Sequence, residues 1–289
     1  MSEVNNNDLN CGHDCSSCGV DCPSRSRAED VSANNFMLEP NKYSRINKII
    51  AVMSGKGGVG KSMITALLAA ACAKSGLKTA VMDADITGPS IPKILGVNEK
   101  AMGGREGIFP AVSKTGIEVM SMNLLLDSDT APVVWRGPII AGMVSQFWQD
   151  VEWGDIDVMF IDMPPGTGDV PLTVFQSLPI DGIIAVTEPQ NLTNMIVAKA
   201  VKMAELMNIK IIALIENMSG FKCPSCGEVH EIFGHSKLEE IASANNINAI
   251  CRVPIDPKIA ELADKGELEN LELEALKPAL EAVNNLINL

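Results

Sequence analysis

Positive charge is scarce in this chain: 23 Lys and Arg stand against 36 Asp and Glu, a formal net charge of -13. General nucleic-acid and anionic-membrane binders need a positive surface, so neither is favoured. Long apolar runs are missing as well. The longest stretch free of charge, Pro and Gly within a helical pattern runs from Met63 to Ala73, far short of the roughly 20 apolar residues of a membrane span. The first residues lack the apolar centre of a secretory leader, which predicts a cytoplasmic protein. With three histidines there is no His-rich metal tract. Apolar bulk, by contrast, is ample: 46% hydrophobic residues over 289 suit one large or two ordinary domains and exclude global disorder. Eight cysteines, kept reduced in the cytoplasm, read as metal ligands wherever they are closely paired.

Residues 1–40 are polar, rich in Asn, Ser and Asp, and carry four cysteines without a periodic apolar pattern. They are expected to form a flexible tail, with residues 41–289 as the folded domain. In that domain apolar, β-branched runs at Ile49–Met53, Thr79–Met82, Ile117–Met120, Val158–Ile161, Ile183–Val186, Ile211–Ile215 and Ala249–Val253 alternate with helical patterns. The helices are expected at Lys61–Ser75, Ile139–Gln149, Val170–Leu178, Leu192–Met207, Lys237–Asn245, Pro257–Lys265 and Glu272–Leu286. Such alternation predicts an α/β fold: a mostly parallel sheet with helices on both faces.

The first strand runs into Gly55-Lys56-Gly57-Gly58-Val59-Gly60-Lys61-Ser62 and then a helix. This is a phosphate-binding loop in its required strand–loop–helix setting. Its glycines let successive N–H groups face a phosphate, and the helix N-terminus adds partial positive charge. Lys61 is expected to reach the β and γ phosphates of ATP and Ser62 to ligate Mg²⁺.

Lys56 is not required by the generic loop. With it, the sequence resembles the deviant-Walker ATPases, the superfamily of MinD, ParA and the nitrogenase iron protein, and so a SIMIBI-type P-loop NTPase. The resemblance implies that Lys56 crosses a dimer interface to the partner's nucleotide. It also implies that in Val81-Met82-Asp83-Ala84-Asp85 the acid Asp85 orients the attacking water while Asp83 lies near the Mg²⁺. Phe160-Ile161-Asp162 then delivers an acid to the carboxyl edge of the sheet, where open α/β sheets bind ligands; Asp162 is the expected Walker B acid, holding Mg²⁺ through water, and the Gly166 amide is expected to approach the γ phosphate. Met63 departs from the family pattern, which has Thr or Ser after the Ser62 position, and predicts weaker nucleotide affinity.

Cys223-Pro224-Ser225-Cys226-Gly227 is a metal-knuckle sequence that supplies two thiolates, half of a four-ligand site. The other half must come from elsewhere in the chain or from a second copy across a two-fold axis. Together with Trp135-Arg136-Gly137-Pro138, the Pro164–Asp169 run and Glu216–Gly220, this sequence resembles the Mrp-type iron–sulfur cluster carriers. That resemblance implies a homodimer whose Cys223 and Cys226 pairs share a 4Fe–4S cluster, delivery of the cluster to apo iron–sulfur proteins, and weak ATP hydrolysis coupled to transfer. It places Asn217 at the adenine and the loop after Val253-Pro254 over the base. A zinc knuckle and a redox pair are the other readings of the same cysteines. Cys11, Cys15, Cys18 and Cys22 form a compact set that suits a second cubane cluster, with zinc or a reactive tail as alternatives and His13 as a possible substitute ligand. Cys72 and Cys251 are read as core residues. The competing function is a ParA- or MinD-like positioning ATPase with a structural zinc knuckle. A metal-inserting ATPase would want the His tract that is missing. MinD-like membrane attachment would want a basic amphipathic C-terminus, and Leu271–Pro278 is acidic and broken by proline.

Overall fold

Parallel pairing and period-two burial organise the described residues. The computed structural model describes residues 37–86, 88–104, 106–126, 137–166, 168–189 and 193–288; the tail cysteines, Trp135 and Arg136 lie outside these. Among the described residues, a nine-stranded sheet has the order β10-β9-β8-β1-β7-β2-β6-β5, with β11 on the other side of β9. The strands are β1 (Arg45–Ser54), β2 (Thr79–Asp83), β5 (Ala111–Val112), β6 (Glu118–Met120), β7 (Asp155–Asp162), β8 (Gly182–Thr187), β9 (Ile211–Lys222), β10 (Val229–His230) and β11 (Ala249–Ile255), while β3 (Met102–Gly103) and β4 (Ile108–Phe109) form a separate antiparallel pair. Only β5 and β10 run antiparallel to their neighbours in the large sheet. Each central strand feeds both faces. Ile49, Ala51 and Met53 of β1 join Met159 and Ile161 in one apolar cluster, while Ile50 and Val52 join Val158 and Phe160 in the other. Strands buried on both sides must be apolar at every position, which is why they read as unbroken runs.

One face is covered by α3 (Gly137–Asp150), α4 (Asp169–Ser177), α5 (Thr193–Leu206) and α6 (Leu238–Ala244), and the other by α1 (Lys61–Lys74), α2 (Ile91–Ile94), α7 (Pro257–Lys265) and α8 (Lys277–Ile287). Cys72 and Cys251 are core residues, as expected, and burial pushes their thiols up to about 12 and about 11.

Two expected elements are corrected. The last helix starts at Lys277, not Glu272, because Pro278 fits only the first turn, where its missing N–H costs nothing. The strand expected to stop at Ile215 continues to Lys222. Its pairing with β11 slips between Val253 (opposite Asn217) and Ile255 (opposite Phe221), and Met218 in the gap has φ 58°. A bulge there absorbs extra residues without ending the strand.

Candidate functional site

The loop between β1 and α1 wraps the carboxyl edge of the sheet, and its geometry is set by two contacts. Gly60 has φ 79°, and a Cβ there would lie 2.3 Å from Asn217 Nδ2, so both backbone and space demand glycine. Asn217, 2% exposed, donates Nδ2 to the Val59 carbonyl at 2.9 Å. The residue expected at the adenine therefore also pins the loop from below. Pro254 follows Val253, which pairs with Asn217 across β9 and β11.

Three expected residues come together at the helix start. Asp162, the last residue of β7 and fully buried, takes Lys61 Nζ on Oδ1 at 2.7 Å and Ser62 Oγ on Oδ2 at 2.5 Å. Thr65, which no motif singles out, donates its hydroxyl to Oδ1 at 2.8 Å. Hard oxygen donors from a hydroxyl and a carboxylate at a helix N-terminus are the chemistry that Mg²⁺ takes. The donor set thus fits that ion, with Ser62 and Asp162 as the residues that would hold it.

Asp83 pairs with Asp162 in the β2–β7 register and is fully buried. Burial first, and the neighbouring Asp162 charge second, push its carboxyl up to about 8, against the pull of Lys61. Its oxygens accept from the backbone of Asp85 (3.2 Å), Ser90 (3.1 Å) and Ile91 (3.3 Å) and from Ser121 Oγ (3.1 Å). Asp83 therefore ties down the segment that follows β2, including half-buried Asp85.

Lys56 forms an ion pair within its own chain, with Glu188, a 7% exposed acid just beyond β8. Glu188 was not among the expected site residues, yet the cue that finds Asp162, an acid at the carboxyl end of an apolar strand, applies to it equally. Gly166, whose amide is expected near the γ phosphate, donates its N–H to the Ser54 carbonyl at 2.9 Å.

The Cys223–Gly227 turn caps the β9–β10 hairpin. Cys223 N–H donates to the Glu228 carbonyl and Gly227 N–H to the Cys223 carbonyl, both at 2.8 Å, with Gly227 at φ 77° closing the reversal. Backbone amides of Cys226 and Ser225 aimed at the Cys223 sulfur hold its thiol below the ordinary value. Cys226 is exposed and Cys223 half-buried. Among the described residues no group of three or more His, Cys, Asp or Glu side chains makes a metal site within the chain. Val229, Ile232 and Phe233 beside the turn are 63, 57 and 37% exposed.

Comparison with known proteins places this geometry among relatives. A ParA family model, described as NUBPL iron-transfer P-loop NTPase, matches residues 45–288. The chain is 47% identical over 251 residues to an iron-sulfur cluster carrier protein of Methanocaldococcus jannaschii, covering 85% of this chain and 86% of that one. It is 39% identical over 241 residues to a cytosolic Fe-S cluster assembly factor of Eremothecium gossypii, covering 80% and 86%. Among solved structures, a nucleotide-binding protein of Archaeoglobus fulgidus in complex with ADP superposes with a TM-score of 0.73 at 43% identity, covering 80% of this chain and 91% of the other. A Pyrococcus furiosus cell division ATPase MinD superposes with a TM-score of 0.60 at 19% identity, covering 83% and 99%, a likeness of fold alone.

Proposed function

The chain belongs to the ParA family of iron-transfer P-loop NTPases, and on that premise we propose that it is an ATP-dependent carrier of iron–sulfur clusters, a homodimer that holds a 4Fe–4S cargo and passes it to apoproteins. The observation that carries this reading is β9. One strand has Asn217 under the phosphate loop and, six residues on, Cys223 at the hairpin turn, a span of under about 20 Å at strand rise. A change at the nucleotide can thus reach the thiolates along one element. In this reading Cys223 and Cys226 of two copies hold the cluster between them, which supplies the missing half of the ligand set. Asp85 orients water for attack on the γ phosphorus, and Lys61 meets the charge on the phosphates. Asn217 and the Pro254 loop hold the base. The tail at 1–40, with Cys11, Cys15, Cys18 and Cys22, is proposed to carry a second cluster, and residues 41–289 the ATPase. Weak hydrolysis coupled to transfer and a cytoplasmic location belong to the same proposal; among the described residues no helix is long and apolar enough to cross a membrane. Anaerobically purified protein is expected to show charge-transfer absorption and iron with equimolar sulfide. Zinc with no iron would overturn the reading in favour of a zinc-knuckle positioning ATPase.

The Lys56–Glu188 pair gives the dimer step a testable cost. To reach a partner's nucleotide, Lys56 must leave an acid that is nearly buried, and a buried charge left alone is costly. Lys56→Ala is therefore expected to leave ATP binding within about twofold and to slow turnover by about 10²-fold, with nucleotide no longer driving dimerisation. Sedimentation and phosphate release measure this, and unchanged values in both would mean that Lys56 acts only within its own chain.

A further inference from the structure

Thr65 lies in the first turns of α1, four residues after Lys61, and is completely buried. A threonine in an apolar helix reads as core filler, and its hydroxyl has a local acceptor in the Lys61 carbonyl at 3.0 Å. It has a better one in Asp162 Oδ1 at 2.8 Å. A hydroxyl has one proton to donate, and a carboxylate claims it more strongly than a carbonyl does. The two oxygens of Asp162 therefore do different things. Oδ1 faces inward and receives Thr65 and Lys61, while Oδ2 faces Ser62 Oγ at 2.5 Å.

We propose that Thr65 is a positioning residue of the Mg²⁺ site: its hydroxyl fixes the rotation of the Asp162 carboxylate so that Oδ2 stays beside Ser62 when Lys61 is drawn toward the phosphates. The proposal rests on the reading of Gly55–Ser62 and Asp162 as a Mg²⁺–nucleotide site. As Lys61 turns outward its hold on Oδ1 weakens, and Thr65 remains as the donor. Without it the carboxylate is free to rotate or to tip toward Ser62 and the departing lysine, and the metal loses an aligned ligand. Residues that orient a metal ligand in this way typically cost ten- to a hundredfold in metal affinity when removed.

Binding of a fluorescent ADP analogue to the full chain, titrated with Mg²⁺, reads this without any turnover. Thr65→Val keeps the shape and loses the hydroxyl. Its affinity for the analogue without Mg²⁺ is expected within about twofold of the parent, and the Mg²⁺ concentration for the half-maximal gain in affinity is expected to rise about tenfold. Thr65→Ser is expected to restore the parental Mg²⁺ requirement. A parental requirement in Thr65→Val, or a Thr65→Ser protein as impaired as Thr65→Val, would overturn the proposal in favour of plain packing. If Thr65→Val gives no cooperative melt, Thr65→Cys, with a weak donor in similar space, takes its place with the same expected shift. Asp162→Asn separates the two levels: loss of Mg²⁺ dependence there, without loss in Thr65→Val, defeats only the role of Thr65, whereas retention there defeats the reading of the site itself.

Discussion

Replacing Lys61 by alanine is expected to lower ATP affinity by at least about a hundredfold and, separately, to destabilise the nucleotide-free fold. The first effect follows from the proposed role of Lys61 at the β and γ phosphates, since losing one preorganised donor to developing or localised negative charge costs on the order of 10²–10³. The second follows from the structure. Lys61 is 5% exposed, its Nζ lies 2.7 Å from fully buried Asp162, and Asp83 is buried alongside. Taking one partner from a buried ion pair leaves an uncompensated charge at a cost of about 3–5 kcal/mol. Calorimetric titration with ATP and a thermal melt measure the two separately. Asp85→Ala is the contrast. Asp85 is half-buried, beyond the end of β2 and outside the Lys61–Asp162 pair, so its loss is expected to spare binding and fold and to remove hydrolysis by misplacing the water. A Lys61→Ala protein that binds ATP at parental affinity would remove Lys61 from the site. An Asp85→Ala protein that hydrolyses at the parental rate would do the same for Asp85.

Both sites differ in how far the sequence announces them, and the difference is physical. The loop, Lys61, Ser62 and Asp162 are visible because backbone geometry around a phosphate allows few residue types, and because a strand buried on both faces must be apolar until its edge acid. The tie between Asn217 and Val59 is hidden, since an amide that holds a loop carbonyl looks in sequence like any asparagine in a turn. The extension of β9 past Ile215 was masked for a related reason. Glu216, Asn217 and Ser219 break the apolar run, and Met218 takes a positive φ that no propensity assigns to methionine. Thr65 acts through a contact more than 90 residues away in the chain, which local pattern cannot register, whereas Glu188 carries the same cue as Asp162, an acid at the carboxyl end of an apolar strand.

Replacing Cys223 and Cys226 together by alanine is expected to remove the shared cluster entirely, about four irons per dimer, and to weaken association, while leaving each protomer's fold intact. The turn lies at the tip of a hairpin, with Cys226 exposed and Cys223 half-buried, so neither thiol supports the core. Its reversal is held by backbone bonds between Cys223, Gly227 and Glu228, which alanine keeps. The melt is therefore expected to stay within about 0.5 kcal/mol of the parent, as for surface substitutions generally. In the proposed dimer the loss of association follows from ligand count: two thiolates per chain would bind a four-ligand cluster only when two chains meet, so metal and dimer would stabilise one another. The tail behaves differently in this account. Cys11, Cys15, Cys18 and Cys22 offer four ligands in one chain, so replacing them is expected to remove about four irons per monomer and leave the dimer unchanged. Iron and sulfide counts, with light scattering on both variants, measure this division. A Cys223/Cys226 variant that keeps its full iron and its dimer would detach the hairpin from the cargo, and dimer loss in the tail variant would place the shared site at the other end of the chain.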